Sequence, residues 1–295
     1  MQRIVAIAAI AVGQAYADKC YALAFSSGDE SSAYQAGVLK GLTQAMDASE
    51  IAYSAISGVS GGAVNSAILA NYATGSEADA ADRMVTFWQN ASNSKLYKDW
   101  IGGIVTGLLY KGGLYDESPM MDFLQTELAD ISPTNRWIDV GLTDVLKGKY
   151  VDFTEDGLTG EELTNVLYAQ FAQAGFFPPA AFDNSDWFDG STIWDLDIFS
   201  VVNKCQETHA DEDIVVDVLL TSEKTLSTVD ASDYKSLQML WRYLQVSRYY
   251  SSMDGLLRAQ FAYPNVTFRN IIAPSTDLPS SLYPLVSENL KIYSK

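Results

Sequence analysis

Histidine is almost missing from this chain: His209 stands alone among 295 residues, beside two cysteines. So few imidazoles and thiols cannot build a zinc site. Positive charge is scarce as well, with 19 Lys and Arg against 37 Asp and Glu, a formal net charge of −18. Nucleic-acid phosphates would repel such a chain. Broad adsorption to anionic membranes is disfavoured too, although a local apolar rim could still touch neutral lipid. No phosphate-binding Gly-x-x-x-x-Gly-Lys run and no calcium-loop pattern occurs. Past the first residues, no apolar run approaches membrane-spanning length. No charge block or Pro/Gly-rich stretch marks a linker. With 48% hydrophobic and 19% charged residues, the composition fits one large α/β domain over residues 18–295.

What the chain does have begins at its N-terminus. Met1-Gln2-Arg3 carries one positive charge, Ile4 to Gly13 is apolar, and Ala15-Tyr16-Ala17 is a small-x-small cleavage site before Asp18. Residues 1–17 therefore read as a secretory signal peptide outside the fold, and the mature protein as secreted or lumenal. In an oxidising compartment Cys20 and Cys205 have two readings, a disulfide or a pair of buried thiols, and the compartment favours the bridge. Asn90-Ala91-Ser92 and Asn265-Val266-Thr267 are glycosylation sequons such a route could use.

Periodicity gives a coarse map. Tyr21 to Phe25 is a short apolar strand, followed by a polar loop and a helix carrying Tyr34, Val38, Leu39 and Leu42. A second strand, Ile51 to Ile56, leads through a turn into the small-residue helix Ala63 to Ala70. Two strand–loop–helix units in succession imply parallel strands with helices on the faces. Helices are also expected at 82–88, at 118–128 with Pro119 in the first turn, at 161–174 and at 237–261. A hairpin pairs 140–144 with 149–153, and strands cover 214–220 and 266–272. The aromatics of the long C-terminal helix (Trp241, Tyr243, Tyr249, Tyr250) read as core or rim packing, with a lipid-facing role open.

The chemistry concentrates at Gly58-Val59-Ser60-Gly61-Gly62, a Gly-x-Ser-x-Gly run between strand and helix. A nucleophilic serine must be lifted out on a sharp turn, and Gly58 and Gly62 remove the side chains that would clash there. The helix after it would aim free N–H groups and a partial positive charge at the serine oxygen. A serine hydroxyl also needs a base. His209 follows in the chain order of a Ser-Asp-His triad, but its surroundings, 207–213, read as a solvated polar loop. Asp189 is the better partner: Trp187-Phe188 precede it and Gly190 admits close backbone approach, so partial desolvation would raise its basicity.

These pieces resemble the patatin-like phospholipase family over roughly residues 21–222. They are the loop leading into Ala33-Tyr34-Gln35-Ala36-Gly37-Val38-Leu39, the Ser60 elbow, Phe171-Ala172-Gln173-Ala174-Gly175-Phe176-Phe177-Pro178-Pro179, and Asp189-Gly190. The resemblance implies a three-layer α/β/α sandwich with a mostly parallel sheet. It implies a Ser60–Asp189 dyad without histidine, and hydrolysis of lipid acyl esters through an acyl-enzyme without metal or organic cofactor. The family's first loop usually reads Gly-Gly-Gly-x-Arg/Lys-Gly and binds the oxyanion with backbone N–H groups. Here it reads Ser27-Gly28-Asp29-Glu30-Ser31-Ser32, so the donors would be Gly28, Asp29 and Gly61. A carboxylate about 6 Å from the oxyanion, at an effective dielectric of about 20, would cost roughly 2–3 kcal/mol. That is on the order of a hundredfold in rate. A chain so impaired would keep the fold to bind or store lipid.

Overall fold

A computed structural model describes residues 19–276 and residue 278; the expected signal peptide, 1–17, lies outside the described residues. Among the described residues eight strands form one sheet: β1 (Cys20–Phe25), β2 (Ala55–Gly58), β3 (Trp137–Asp144), β4 (Lys149–Thr154), β5 (Ala180–Phe182), β6 (Ser185–Asp189), β7 (Ile214–Leu219) and β8 (Thr267–Ile272). The order is β5-β6-β3-β2-β1-β7-β8, with β4 paired to β3 off that path. The run from β3 through β8 is parallel, and β4, β5 and β6 join antiparallel at one end.

Alternate residues of the strands bury on opposite faces, as a sheet covered on both sides requires. Leu23, Phe25, Ile56, Ile138, Val140 and Leu142 point into one layer. That layer is built by α1 (Ser32–Ala45), α2 (Gly61–Ala70), α3 (Glu77–Asn93), α5 (Ser118–Glu127) and α6 (Gly160–Ala169). Ala22, Ala24, Ile214, Val216 and Val218 point the other way, against α7 (Phe199–Gln206) and α8 (Ser236–Ala262). A short apolar helix, α4 (Gly103–Tyr110), stands apart from both cores. The fold is thus the three-layer α/β/α arrangement with a mostly parallel sheet.

Several boundaries move. The second strand starts at Ala55 rather than Ile51, because 48–50 closes a 3₁₀ turn and Tyr53 buries beneath it. The helix expected at 161–174 ends at Ala169; Gln170 and Gln173 turn inward and Gly175 adopts a φ of 88°. Strands β5 and β6 are an addition. Asp183 and Asn184, at φ 49° and 55°, make the left-handed two-residue turn that suits the strand twist.

Cys20, at the start of β1, is joined by a disulfide to Cys205 on α7 across 185 residues of sequence. Closing so long a loop restricts the unfolded chain strongly. Replacing both cysteines with serine should lower unfolding free energy by about 2–5 kcal/mol. Urea denaturation checks this, and a variant as stable as the native chain would remove the bridge from the stabilising terms.

Candidate active site

The sheet itself brings Ser60 and Asp189 together. β4 occupies one edge of β3 from Asp139 to Asp144. The other edge is shared: β2 runs along its first half, ending with Gly58 opposite Val140, and β6 runs antiparallel along its second half, ending with Asp189 opposite Leu142. The two strands therefore run towards each other and stop two residues apart on β3, about 7 Å. Gly141 fills the gap, and a Cβ on Gly190 would lie 2.2 Å from the Gly141 carbonyl oxygen.

The turn after β2 is a strained elbow. Ser60 takes φ 57°, ψ −130°, a conformation L-residues rarely adopt and one that costs on the order of 1–3 kcal/mol. Both flanking glycines are needed: a Cβ on Gly58 would lie 2.3 Å from Gly62 O, and one on Gly62 would lie 2.5 Å from Ser26 O. Gln170 holds the elbow in place. Its Oε1 accepts from Ser60 N–H at 2.7 Å, its backbone carbonyl accepts from Ser60 Oγ at 3.3 Å, and its Nε2 donates to Gly141 O at 3.1 Å. Ser60 is fully buried in this conformation.

Asp189 is 1% exposed. Its Oδ1 accepts from Ser191 N–H at 2.9 Å, and among the described residues its Oδ2 has no hydrogen-bond partner. Its backbone is pinned by Thr143 Oγ1 donating to its carbonyl and by its own N–H donating to Ala172 O. Burial pushes the Asp189 carboxyl up to about 7; Arg248 opposes that rise and Asp29 adds to it. A third acid, Glu117, is buried with both carboxyl oxygens unpaired among the described residues. Burial first, then Asp189 and Asp29, holds it well above the ordinary carboxylate range.

The first loop is built differently from the resemblance. Gly28 has extended backbone (φ 172°) tight against Thr221, and Asp29 is left-handed at φ 47°. A Cβ on Gly61 would lie 2.6 Å from Asp29 O, so loop and elbow touch backbone to backbone. The Asp29 carboxylate is turned into a pair of donors. Arg248 Nη1 on α8 donates to Oδ2 at 2.6 Å, and Gln173 Nε2 donates to Oδ1. The other end of that guanidinium, Nη2, lies 3.9 Å from Asp189 Oδ2. Burial works against the Arg248 charge, but Asp29 and then Asp189 outweigh it and hold its pKa above the ordinary value. Asp195 ties the same two elements together, accepting from Ser27 on the loop and from Ser252 on α8.

Two clefts meet at Arg248. One of about 100 Å³ is lined by Gly28, Asp29, Asp195 and Arg242; the other, of about 180 Å³, by Gln173, Asp189, Ser191, Tyr243 and Leu244. Arg248 lines both, and Ser60 lines neither. Arg248 thus stands between these two clefts, beside the buried serine.

Ser60, Asp189, Gly28, Asp29 and Gly61 thus gather at the C-terminal ends of β1 and β2, where ligands of open α/β sheets bind. His209 does not join them. It follows α7, on the same side as Cys205, which is bridged to the opposite, N-terminal end of β1. A strand of six residues, about 17 Å, separates that end from the elbow. The histidine-dependent triad is therefore corrected: His209 Nδ1 shares its hydrogen bond with Thr208. Arg248, Gln170 and Glu117 are site residues that sequence reasoning missed, and Gln173 was seen there only as part of the segment ahead of Asp189. The one available signal was a basic residue within the aromatic helix of a very acidic chain. Among the described residues, the carboxylates that could share an ion are Asp139, Asp152 and Asp197, with oxygens within 4.8 Å of one another. Burial, then Asp197 and Asp152, pushes Asp139 up to about 8, so one proton can stand in for a cation there.

Comparison with known proteins identifies the family of the chain. No curated protein matches the chain. Among solved structures, VipD from Legionella pneumophila aligns over 94% of this chain and 67% of its own, at 10% identity and a TM-score of 0.42. The family model for patatin-like phospholipase matches residues 23–199, which contain the first loop, the elbow and Asp189. The chain belongs to the patatin-like phospholipase family, whose members act on lipid acyl esters.

Proposed function

We propose that the protein is a secreted serine acyl hydrolase that cleaves glycerolipid esters with a Ser60–Asp189 dyad. The observation that carries this reading is the Asp189 carboxylate, buried beside a strained serine elbow with no hydrogen bond to Oδ2 among the described residues, where only the longer 3.9 Å contact from Arg248 reaches it. A buried oxygen left without a donor is costly, and here it is the natural acceptor for the serine proton. In this mechanism the Ser60 Oγ–H, which now donates to the Gln170 carbonyl, turns towards that oxygen. The alkoxide attacks the ester carbonyl, and backbone N–H groups of Gly28, Asp29 and Gly61 hold the oxyanion. The protonated Asp189 returns its proton to the departing alcohol. It then takes one from water, which attacks the acyl-enzyme and frees Ser60.

Secretion rests on the residues 1–17 pattern and accords with the Cys20–Cys205 bridge. Of the two sequons, Asn265 lies in an exposed turn before β8, whereas Asn90 lies within α3 and donates to Glu127. The test is turnover of a medium-chain p-nitrophenyl ester by protein beginning at Asp18, beside Ser60→Ala. Turnover lost in the variant is expected. Equal background in both would instead point to a lipid-binding protein with this fold.

A further inference from the structure

Helix α4 presents nearly all of its apolar residues to solvent. Val105, Leu108, Leu109 and Tyr110 are 64%, 70%, 63% and 79% exposed, with Ile104 half-exposed and Ile101 before the helix wholly so. A patch this contiguous on a folded chain marks a contact surface. Only the Gly107 side faces the protein: a Cβ there would lie 2.4 Å from Leu114 O, so glycine seats the helix directly on the segment that follows it.

We propose that α4 is an interfacial anchor that inserts its apolar side into a zwitterionic glycerophospholipid surface; this rests on the acyl hydrolase reading above. The charges around the helix select the occupant. Around the helix Lys95, Lys98 and Lys111 stand with Asp99 and Asp116, and Lys98 pairs with Asp116 at 3.3 Å. In a chain of net charge −18 this patch is close to neutral, which suits a zwitterionic surface, while the acidic remainder disfavours a membrane of net negative charge. Trp100 and Tyr110 flank the apolar side with amphipathic rings of the kind that settle at headgroup level. Lys111 lies over the Trp100 ring, 4.9 Å from its centroid, with its charge at that same level.

The helix is also connected to the mouth of the site. The segment after it pairs with the one before Asp189: Leu114 N–H donates to Gly175 O and Tyr115 N–H to Phe176 O. Leu114, Tyr115, Phe176 and Phe177 form a small core that packs against Leu244 of α8. Leu244 and the 65% exposed Tyr243 line the Asp189 cleft. A lipid surface holding α4 therefore lies next to the cleft and to the helix that carries Arg248.

The experiment is flotation with phosphatidylcholine vesicles, using Ser60→Ala protein so that no lipid is cleaved, beside the same protein carrying Leu108→Asp and Leu109→Asp. The expected result is binding by the first and a partition coefficient lower by about tenfold or more in the second. Quenching of tryptophan fluorescence by brominated phosphatidylcholine should fall in parallel. In the otherwise native chain the two aspartates should leave turnover of a monomeric p-nitrophenyl ester within about twofold, which separates anchoring from chemistry. Failure of that turnover in every form would sink the hydrolase reading and leave vesicle binding to decide the anchor. Equal flotation of both proteins, or none by either, overturns the proposal. So does binding that requires phosphatidylserine. A dimer that dissociates on substitution while flotation is unchanged would give the face to a second copy of the chain instead.

Discussion

Replacing Asp189 with asparagine should abolish ester turnover as completely as Ser60→Ala, while making the protein more stable at alkaline pH. The kinetic half follows from the base. Asparagine keeps the shape and the hydrogen bond from Ser191 but cannot take a proton, so kcat/KM should fall about 10³-fold or more. The double variant should be no worse than either single one, because two members of one relay fail together. The stability half follows from the raised pKa. With a folded-state value of about 7 against 3.8 for the ordinary side chain, the folded protein binds this proton more tightly than the unfolded chain does. Stability from this group is fully present below pH 4 and is lost as pH rises through 7. Asparagine escapes that loss. The variant should exceed the native chain by up to about 4 kcal/mol at pH 8, at 1.36 kcal/mol per pKa unit, with the gap closing towards pH 4. Urea titrations at both pH values read it directly. An asparagine variant no more stable at pH 8 would show that Asp189 is stabilised as a carboxylate and is not poised as a base. The native kcat/KM should accordingly rise along a single acid limb centred near pH 7.

Much of this was legible in the sequence, and the reasons are local. The elbow is written in glycines at 58 and 62 because the backbone there excludes any Cβ. β1, β2 and β7 are apolar runs because both faces of the sheet are covered. Asp189 could be singled out from its aromatic neighbours, but its position on a strand was hidden. β5 and β6 are only three and five residues long, too short for alternation to register. Their signal was the Asp183-Asn184 turn. Helix α4 was missed for a related reason: Gly102, Gly103 and Gly107 interrupt a run with no polar face, so it shows none of the amphipathic period by which a packed helix is recognised. What no local pattern could reveal is the pairing of residues 219 positions apart, Asp29 with Arg248.

That pairing answers the loop's departure from the family pattern, and it carries the second large prediction. In the sequence, Asp29 stands in a loop expected to be glycine-rich, and Ser31 where the family has a basic residue. A bare carboxylate there would slow the reaction on the order of a hundredfold. In the fold, the missing positive charge comes from α8 instead, with Arg248 Nη1 at 2.6 Å from Asp29 and Nη2 at 3.9 Å from Asp189. Arg248→Gln keeps much of the volume and removes the charge. Two consequences separate in the pH profile. Asp189 loses the charge that restrains its pKa, so the acid limb should move upward from about 7. The alkaline plateau should fall by roughly a hundredfold, because Asp29 then faces the oxyanion uncompensated. Asp29→Asn alone should move the limb the other way, since it removes a carboxylate that raises the Asp189 pKa and frees Arg248 to act on Asp189. Asp29→Asn with Arg248→Gln should recover most of the plateau, a non-additivity expected only of groups in direct contact. An arginine needed merely to pack α8 would lower activity without moving the limb, and Asp29→Asn would not rescue it. An Arg248→Gln protein faster than the native chain at every pH would instead make Arg248 a plug between the two clefts. Arg248 lines both clefts and Ser60, fully buried, lines neither, so the residue that neutralises the loop also stands between the two clefts nearest the dyad. If an ester displaces that side chain, a guanidinium on a flexible stem can keep the close contact to Asp29 while giving up the longer one to Asp189, so the charge compensation is retained.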